Sequence, residues 1–417
     1  MMKVERFSLK NGLRVVFFRD SSTEMVHVNV LYGVGAKNES DKFTGLAHLL
    51  EHLMFEGTDK LPSFDEPIEA AGGDSNAFTN NDFTNYIISL PRRNAELAFC
   101  MEADRMCSVS LDDEKVDVQR NVVMEEFKQE HLNKPYGDVS MLMRKIAFKE
   151  HPYRWSTIGM KLKHISSVPT AVVQDFYQRH YVPGNAVLAV VGNLTPAKVG
   201  EWAEKWFGEL PSRECQKTPI PVEPRQRRRR SATVYRNVPN NALYMAFHMD
   251  SFSGKDYYPC DVISDVLANG YSGRLSERLV KEKRLFTRID AFISNSEHDG
   301  LFWVYSRLAD GVSYADAEAA IWAELEELQR REVPAEELDK VRNRFESEQV
   351  FTNLSGANFA ANMAMCEWCG DVSRAWRETD MYRAVTAADV KRAAKELFRK
   401  GNASVLYYKK KSWNRNT

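Results

Sequence analysis

Cysteine is scarce and scattered: six residues, at 100, 107, 215, 260, 366 and 369, in a chain of 417. So few thiols over such a length exclude a disulfide-built scaffold and point to reduced cysteines in a cytoplasm. The single CxxC, Cys366-Glu-Trp-Cys369, has no second pair to complete a four-cysteine metal site, and chance spacing on a helix accounts for it. No window has the uninterrupted apolar length of a membrane span, so no membrane role is expected. The opening Met-Met-Lys-Val-Glu-Arg-Phe-Ser-Leu-Lys lacks the apolar core of a secretory signal, which also predicts a cytoplasmic location. An excess of one charge is missing too: 57 Lys and Arg stand against 58 Asp and Glu, which predicts no nucleic-acid partner. No glycine-rich loop opens a helix after a strand, which removes the usual phosphate and nucleotide sites.

What is present is the composition of a globular protein, 43% hydrophobic and 28% charged, too long for one ordinary core. Phe7–Phe18 carries an Asn11-Gly12 turn between apolar runs and reads as a hairpin. Val26–Tyr32 alternates and reads as a strand with one buried face. Asn76–Thr79 and Phe83–Leu90 are strands around a polar turn, and helices are expected near 63–71, 94–108, 112–132, 172–180 and 198–207. Residues 211–230 then change character, with four prolines followed by Arg225-Gln-Arg-Arg-Arg-Arg230. The arginine run has no interleaved aromatics, so it reads as a solvated linker rather than a polyanion site. Beyond it the outline repeats. Leu243–Met249 echoes Val26–Tyr32, Val385–Ala394 parallels Ile165–Phe176, and Asn402–Tyr408 parallels Asn185–Val191. The expected fold is α+β, an internal duplication: domains 1–210 and 231–417 joined by the 211–230 linker. Each holds a mostly antiparallel sheet with helices packed on one face.

The chemistry concentrates in Gly45–Gly57. Leu46, Leu49, Leu50, Leu53 and Met54 recur at helical steps, with Thr44 as N-cap and Gly57 as stop. On that helix His48 and His52 lie one turn apart on one face with Glu51 beside them. Two imidazoles at this spacing are a natural pair of zinc ligands, and the carboxylate can take a proton from a metal-activated water. The alternative is a helix that carries two histidines and a glutamate by chance, but the order His-x-x-Glu-His is itself a peptidase signature. The second repeat has no such pattern at Tyr257–Leu267. A catalytic zinc needs a third protein ligand. Glu125, Glu126 and Glu130, on the charged side of the 112–132 helix, are candidates that spacing alone does not rank.

Gly45-x-x-His48-x-x-Glu51-His52-x-x-Phe55-x-Gly57-Thr58, followed by Glu126 in Arg120-Asn-Val-Val-Met-Glu-Glu-Phe, closely resembles the M16 zinc peptidases, the inverzincins. Asn76-Ala-Phe-Thr, His151-Pro-Tyr, Gly159, Tyr181-x-Pro-x-Asn185 and Val190-Val-Gly192 extend the likeness over nearly the whole chain. The resemblance implies one Zn2+ per chain held by His48, His52 and Glu126, with Glu51 as general base. It implies that Asn76, Ala77, Phe78 and Thr79 form an edge strand on which a peptide substrate docks by strand addition. It implies a chamber of four such domains, hence a homodimer or a heterodimer with a second M16-like chain. Two positions depart from the family pattern. Gln119 stands where a glutamate often precedes the ligand by seven residues. In the second domain Lys281 and Arg288 stand where the family carries an Arg and a Tyr that stabilise the oxyanion. The expected function is therefore zinc-dependent endopeptidase. The alternative is a weakly active or inactive subunit that retains metal and needs a partner chain for the missing Arg/Tyr pair.

Overall fold

A computed structural model describes residues 3–58, 60–213, 215, 219–268, 270 and 272–411. The Asn11-Gly12 turn does close a hairpin: β1 (Val4–Ser8) and β2 (Arg14–Arg19) run antiparallel with Ser8 opposite Arg14. They join β3 (Met25–Tyr32), β4 (Asp74–Thr79), β5 (Thr84–Pro91) and β6 (Ala186–Gly192) in a sheet of order β1-β2-β6-β3-β5-β4. A second sheet has the order β7-β11-β8-β10-β9. It is built from β7 (Arg230–Arg236), β8 (Ala242–Met249), β9 (Phe286–Ile293), β10 (Gly300–Leu308) and β11 (Ala403–Lys410). The duplication is visible in the pairing. β6 lies parallel to β2 and antiparallel to β3, and β11 lies parallel to β7 and antiparallel to β8. These are the strands of the closing segments that parallel one another in sequence, and the class is α+β as expected.

The alternation in Val26–Tyr32 suggests one buried face, but β3 is covered on both. Tyr32 points to Tyr86 and Tyr181, with ring centroids 5.9 and 4.5 Å away. On the other face Leu31, with Val16, Val187, Ala189 and Val191, packs against Phe359, Ala360, Met363 and Ala364 of helix Gly356–Trp368. Asn29 is polar and fully buried because it exchanges two 2.8 Å amide bonds with Asn85 on β5. A polar residue that satisfies itself across the ladder mimics a solvent-facing position in sequence.

The compact units do not follow the serial division 1–210, 211–230, 231–417. One comprises Met1–Lys128, Trp155–Ile220 and Gln349–Arg377; the other comprises Gln129–Arg154, Pro221–Glu348 and Glu378–Thr417. The physical reason is that each sheet has two apolar faces. Helix Gly356–Trp368, from the later half of the chain, covers the second face of the first sheet. Helix Val139–Ala147, from the earlier half, lies on the second sheet, where Val139 and Met143 meet Ala242, Tyr244, Leu301 and Tyr408. The arginine run is structural at its end: Arg230 opens β7 and donates to the Ala147 carbonyl, and Arg229 pairs with Glu318 at 2.8 Å.

Phe359, in the first turn of the covering helix, is 2% exposed and edge-on to Phe18 at 5.3 Å. Phe359→Ala is expected to cost about 3–5 kcal/mol, read as a lower denaturation midpoint. A loss below about 1 kcal/mol would mean that this face contributes little.

Candidate metal centre and active site

Helix Leu46–Leu53 buries Leu46, Leu49, Leu50 and Leu53, which leaves His48, Glu51 and His52 on its half-open side. The expected Thr44 cap does not form. Gly45 is the cap residue, at φ +94°, and that left-handed backbone turns Thr44 away. The Thr44 hydroxyl lies 2.9 Å from His164 Nδ1 and accepts the Met160 N–H at 2.8 Å. Glu39 does the capping from outside the helix: its two oxygens accept the Gly45 and Ala47 N–H groups, each at 2.8 Å. A carboxylate is favoured at a helix N-terminus, where backbone donors and the dipole converge. Glu39 is buried, which pushes its carboxyl up to about 8, while the Ala47 and Gly45 N–H groups pull it down. No residue but glycine fits at 45, since a Cβ would sit 2.8 Å from the Ile158 carbonyl.

The turn that carries Glu39 also holds the β4–β5 hairpin. Ala36 and Lys37 N–H donate to the Asn80 and Asn81 carbonyls at 3.1 and 2.8 Å. Lys37 Nζ meets Asp82 Oδ1 at 3.0 Å, both side chains being buried. Gly35 permits this approach, because a Cβ there would lie 2.6 Å from the Asn80 carbonyl oxygen. One short segment therefore sets the ligand helix and the hairpin tip against each other.

Helix Asp113–Phe127, capped by Asp112 through the Lys115 N–H, brings Glu126 to the histidines. Glu126 Oε2 is 3.7 Å from His48 Nε2 and 3.5 Å from His52 Nε2. The other two candidates point elsewhere: Glu125 pairs with Lys128 at 2.6 Å and Glu130 with Lys134 at 2.9 Å. Among the described residues, His48, His52 and Glu126 form the one group of three whose donor atoms all lie within 4.8 Å of each other. A tetrahedral zinc with bonds near 2.0–2.1 Å separates its ligands by roughly 3.3 Å, only a little less than the two distances here. Two imidazoles and a carboxylate are also the donor set zinc takes in catalytic sites. The residues fit the ion.

The electrostatics agree with a site built for a cation. One carboxylate serves two imidazoles. His52, hydrogen-bonded to Glu126, is held above the usual histidine range, while burial pushes His48 down to about 4 and keeps it neutral, as a ligand must be. Glu51 is pushed up by burial and pulled down by a bond from the Thr79 hydroxyl and by His52. Gln119, at the position of the family glutamate, donates its amide to Glu56. Beneath the site Arg105, 1% exposed, is paired with Glu102 and stacked against Phe64 and Tyr86 at 4.2 and 4.1 Å.

β4 lies at the edge of its sheet. Asn80 N–H bonds the Phe83 carbonyl across the turn, so the ladder bonds fall at 78 and 76, opposite 85 and 87. The backbone groups of Ala77 and Thr79 therefore face outward. The Asn76 side-chain oxygen occupies the Ala77 N–H at 2.8 Å. In the other unit, Lys281 pairs with Glu277 and Arg288 with Asp290, each at 2.6 Å. Neither Glu39 nor the bond from Thr79 to Glu51 is read from the sequence above; an acidic residue six positions before a cap glycine is the only trace that the first leaves.

Residues 14–161 match the profile described as Insulinase (Peptidase family M16), and residues 167–345 that described as Peptidase M16 inactive domain. The chain belongs to the M16 family. It is 29% identical over 413 residues to the zinc protease PqqE of Helicobacter pylori, covering 98% of this chain and 93% of that one. It is 27% identical over 353 residues to the probable mitochondrial-processing peptidase subunit beta of Arabidopsis thaliana, covering 82% and 66%. The crystal structure of a protease from Helicobacter pylori superposes with a TM-score of 0.92 at 28% identity over 98% of this chain and all of that one. Pitrilysin shares the fold at TM-score 0.77 and 19% identity, with this chain spanning 45% of it. M16 membership and relatives named zinc proteases support a metallopeptidase.

Glu39→Ala removes both acceptors from the first turn of the M16 motif helix. It is expected to cost about 1–2 kcal/mol of stability and to weaken metal retention against a chelator. Unchanged melting and unchanged retention would show that the helix holds its place without Glu39.

Proposed function

We propose that this chain is a zinc-dependent metalloendopeptidase that hydrolyses peptide bonds in short or unfolded polypeptides, with one zinc ion per chain. The observation that carries the reading is the convergence of His48, His52 and Glu126 beside Glu51. His48, His52 and Glu126 would hold the zinc, which would supply Lewis acidity toward the scissile carbonyl and the attacking water. Glu51 accepts the proton of that water and delivers it to the leaving amine. An extended substrate pairs with β4 through the outward backbone of Ala77 and Thr79, next to Asn76 and Phe78, and backbone pairing makes little demand on its sequence. Phe78, 47% exposed on that strand, offers an apolar contact to the bound chain.

The working unit in this reading is a dimer, either of two copies or with a second M16-like chain; a relative named as a processing-peptidase subunit supports the second form. A cytoplasmic location is supported by six free thiols, although one structural neighbour is the periplasmic protease PqqL of Escherichia coli. No helix among the described residues is long and apolar enough to cross a membrane. Lys281 and Arg288 favour one further reading. With ion-paired cations in place of an Arg and a Tyr, the chain by itself is weakly active and gains full rate from a partner that supplies the missing pair.

Glu51→Gln is expected to lower cleavage of unstructured peptides by at least about a hundredfold while zinc stays bound. Glu126→Gln is expected to lose zinc, measured as metal content after dialysis. Cleavage by Glu51→Gln would remove the general base from this scheme, and unchanged zinc in Glu126→Gln would remove the third ligand. Full peptidase activity of the purified chain without a second protein would rule out the partner-dependent reading.

A further inference from the structure

The last residue of β4 does two things at once. Its backbone faces outward at the sheet edge, and its side chain reaches back to the metal helix: Thr79 Oγ1 donates to Glu51 Oε2. The direction of that bond follows from its neighbours. Thr84, opposite Thr79 in the ladder and fully buried, donates its hydroxyl proton to the Val34 carbonyl at 2.9 Å. A carbonyl cannot donate, so Thr84 Oγ1 is left only as an acceptor toward Thr79, 3.3 Å away. Thr79 has one hydroxyl proton and two acceptors, a carboxylate in close contact and a neutral hydroxyl at the longer distance. The charge-assisted bond wins.

We infer that Thr79 is a positioning residue for Glu51. Its hydroxyl engages Oε2 and fixes the rotamer of the carboxylate, so that Oε1, which accepts no hydrogen bond among the described residues, is the oxygen that takes the proton of the attacking water. The tie is rigid because the hairpin tip behind Thr79 is clamped by Ala36, Lys37 and the buried Lys37–Asp82 pair. It also joins docking to chemistry: a peptide that hydrogen-bonds the backbone of residue 79 is registered against the same residue that orients the base. This inference rests on the reading of Glu51 as general base.

The test compares wild type, Thr79→Val, Thr79→Ser and Glu51→Gln, each loaded with zinc, on one unstructured fluorogenic peptide. Thr79→Val keeps the shape and the outward backbone but loses the donor. Its kcat is expected to fall about tenfold or more, with KM within about twofold of wild type and zinc content unchanged. Thr79→Ser restores the donor and is expected to restore kcat. If Thr79→Val melts below the assay temperature, Thr79→Ala, which also lacks the donor, takes its place with the same expected loss. A second readout needs no turnover. In the metal-free protein labelled with 13C at glutamate Cδ, the Glu51 signal, identified by its absence in Glu51→Gln, is expected to move in Thr79→Val and to return in Thr79→Ser. Wild-type kcat in Thr79→Val, a rise confined to KM, or a Ser variant as slow as the Val variant overturns the inference. Retained cleavage by Glu51→Gln overturns instead the reading beneath it.

Discussion

Two hydrogen bonds donated by the Gly45 and Ala47 N–H groups at the start of helix Leu46–Leu53 to the buried Glu39 side chain anchor the rest of the site. The helix is only eight residues long, too short to persist on its own, and its start is a left-handed glycine that leaves first-turn donors without a local side-chain partner. A buried acid fills both vacancies, and the backbone of the same turn grips the β4–β5 hairpin tip. Helix, hairpin and acid thus form one rigid corner. A general base, the role proposed for Glu51, has to be held within a fraction of an ångström of its working position, and the segments that place Glu51 are fixed by backbone hydrogen bonds and glycine contacts.

Much of this was legible in residue order. The helical step of the leucines in Gly45–Gly57 identifies both histidines and Glu51 without any structure, because a helix surface is defined by its own periodicity. The Asn-Gly hairpin and the repeated order of strands are equally local. What escaped depends on contacts distant in sequence. Glu125 and Glu126 differ by a rotation about the helix axis, and Glu126 and Glu130 by one turn along it, and spacing alone fixes neither; the family pattern chose Glu126, and the packing of helix Asp113–Phe127 turns that residue to the histidines, while Glu130 falls beyond the end of the helix. Thr44 is a good cap in composition but is turned away by the glycine that follows. Asn29 looks solvent-facing until its partner Asn85 is known.

The crossed arrangement of helices is the largest feature that serial reading misses. A strand pattern reports how apolar a sheet face is, not which segment covers it. Residues 349–377 belong with the first sheet and residues 129–154 with the second, so the two halves of the duplication cannot be separated at the proline- and arginine-rich stretch without exposing an apolar face on each. The duplicated units have exchanged one covering helix apiece, which makes the whole chain the smallest unit whose sheets are covered on both faces.

An open β-edge beside the His48, His52 and Glu126 cluster presents a hazard as well as an opportunity. Unpaired strand edges recruit any extended chain, including the edge of another copy, and proteins that keep one exposed tend to aggregate through it. The Asn76 amide, folded onto the N–H of Ala77, serves as a removable cover. It satisfies the donor by a local bond, one that a substrate strand docking in the proposed way would displace. A second folded copy has less to gain, because its own edge would have to be uncovered first. In the proposed role the strand would stay open to peptides while its free donor is covered against its own kind.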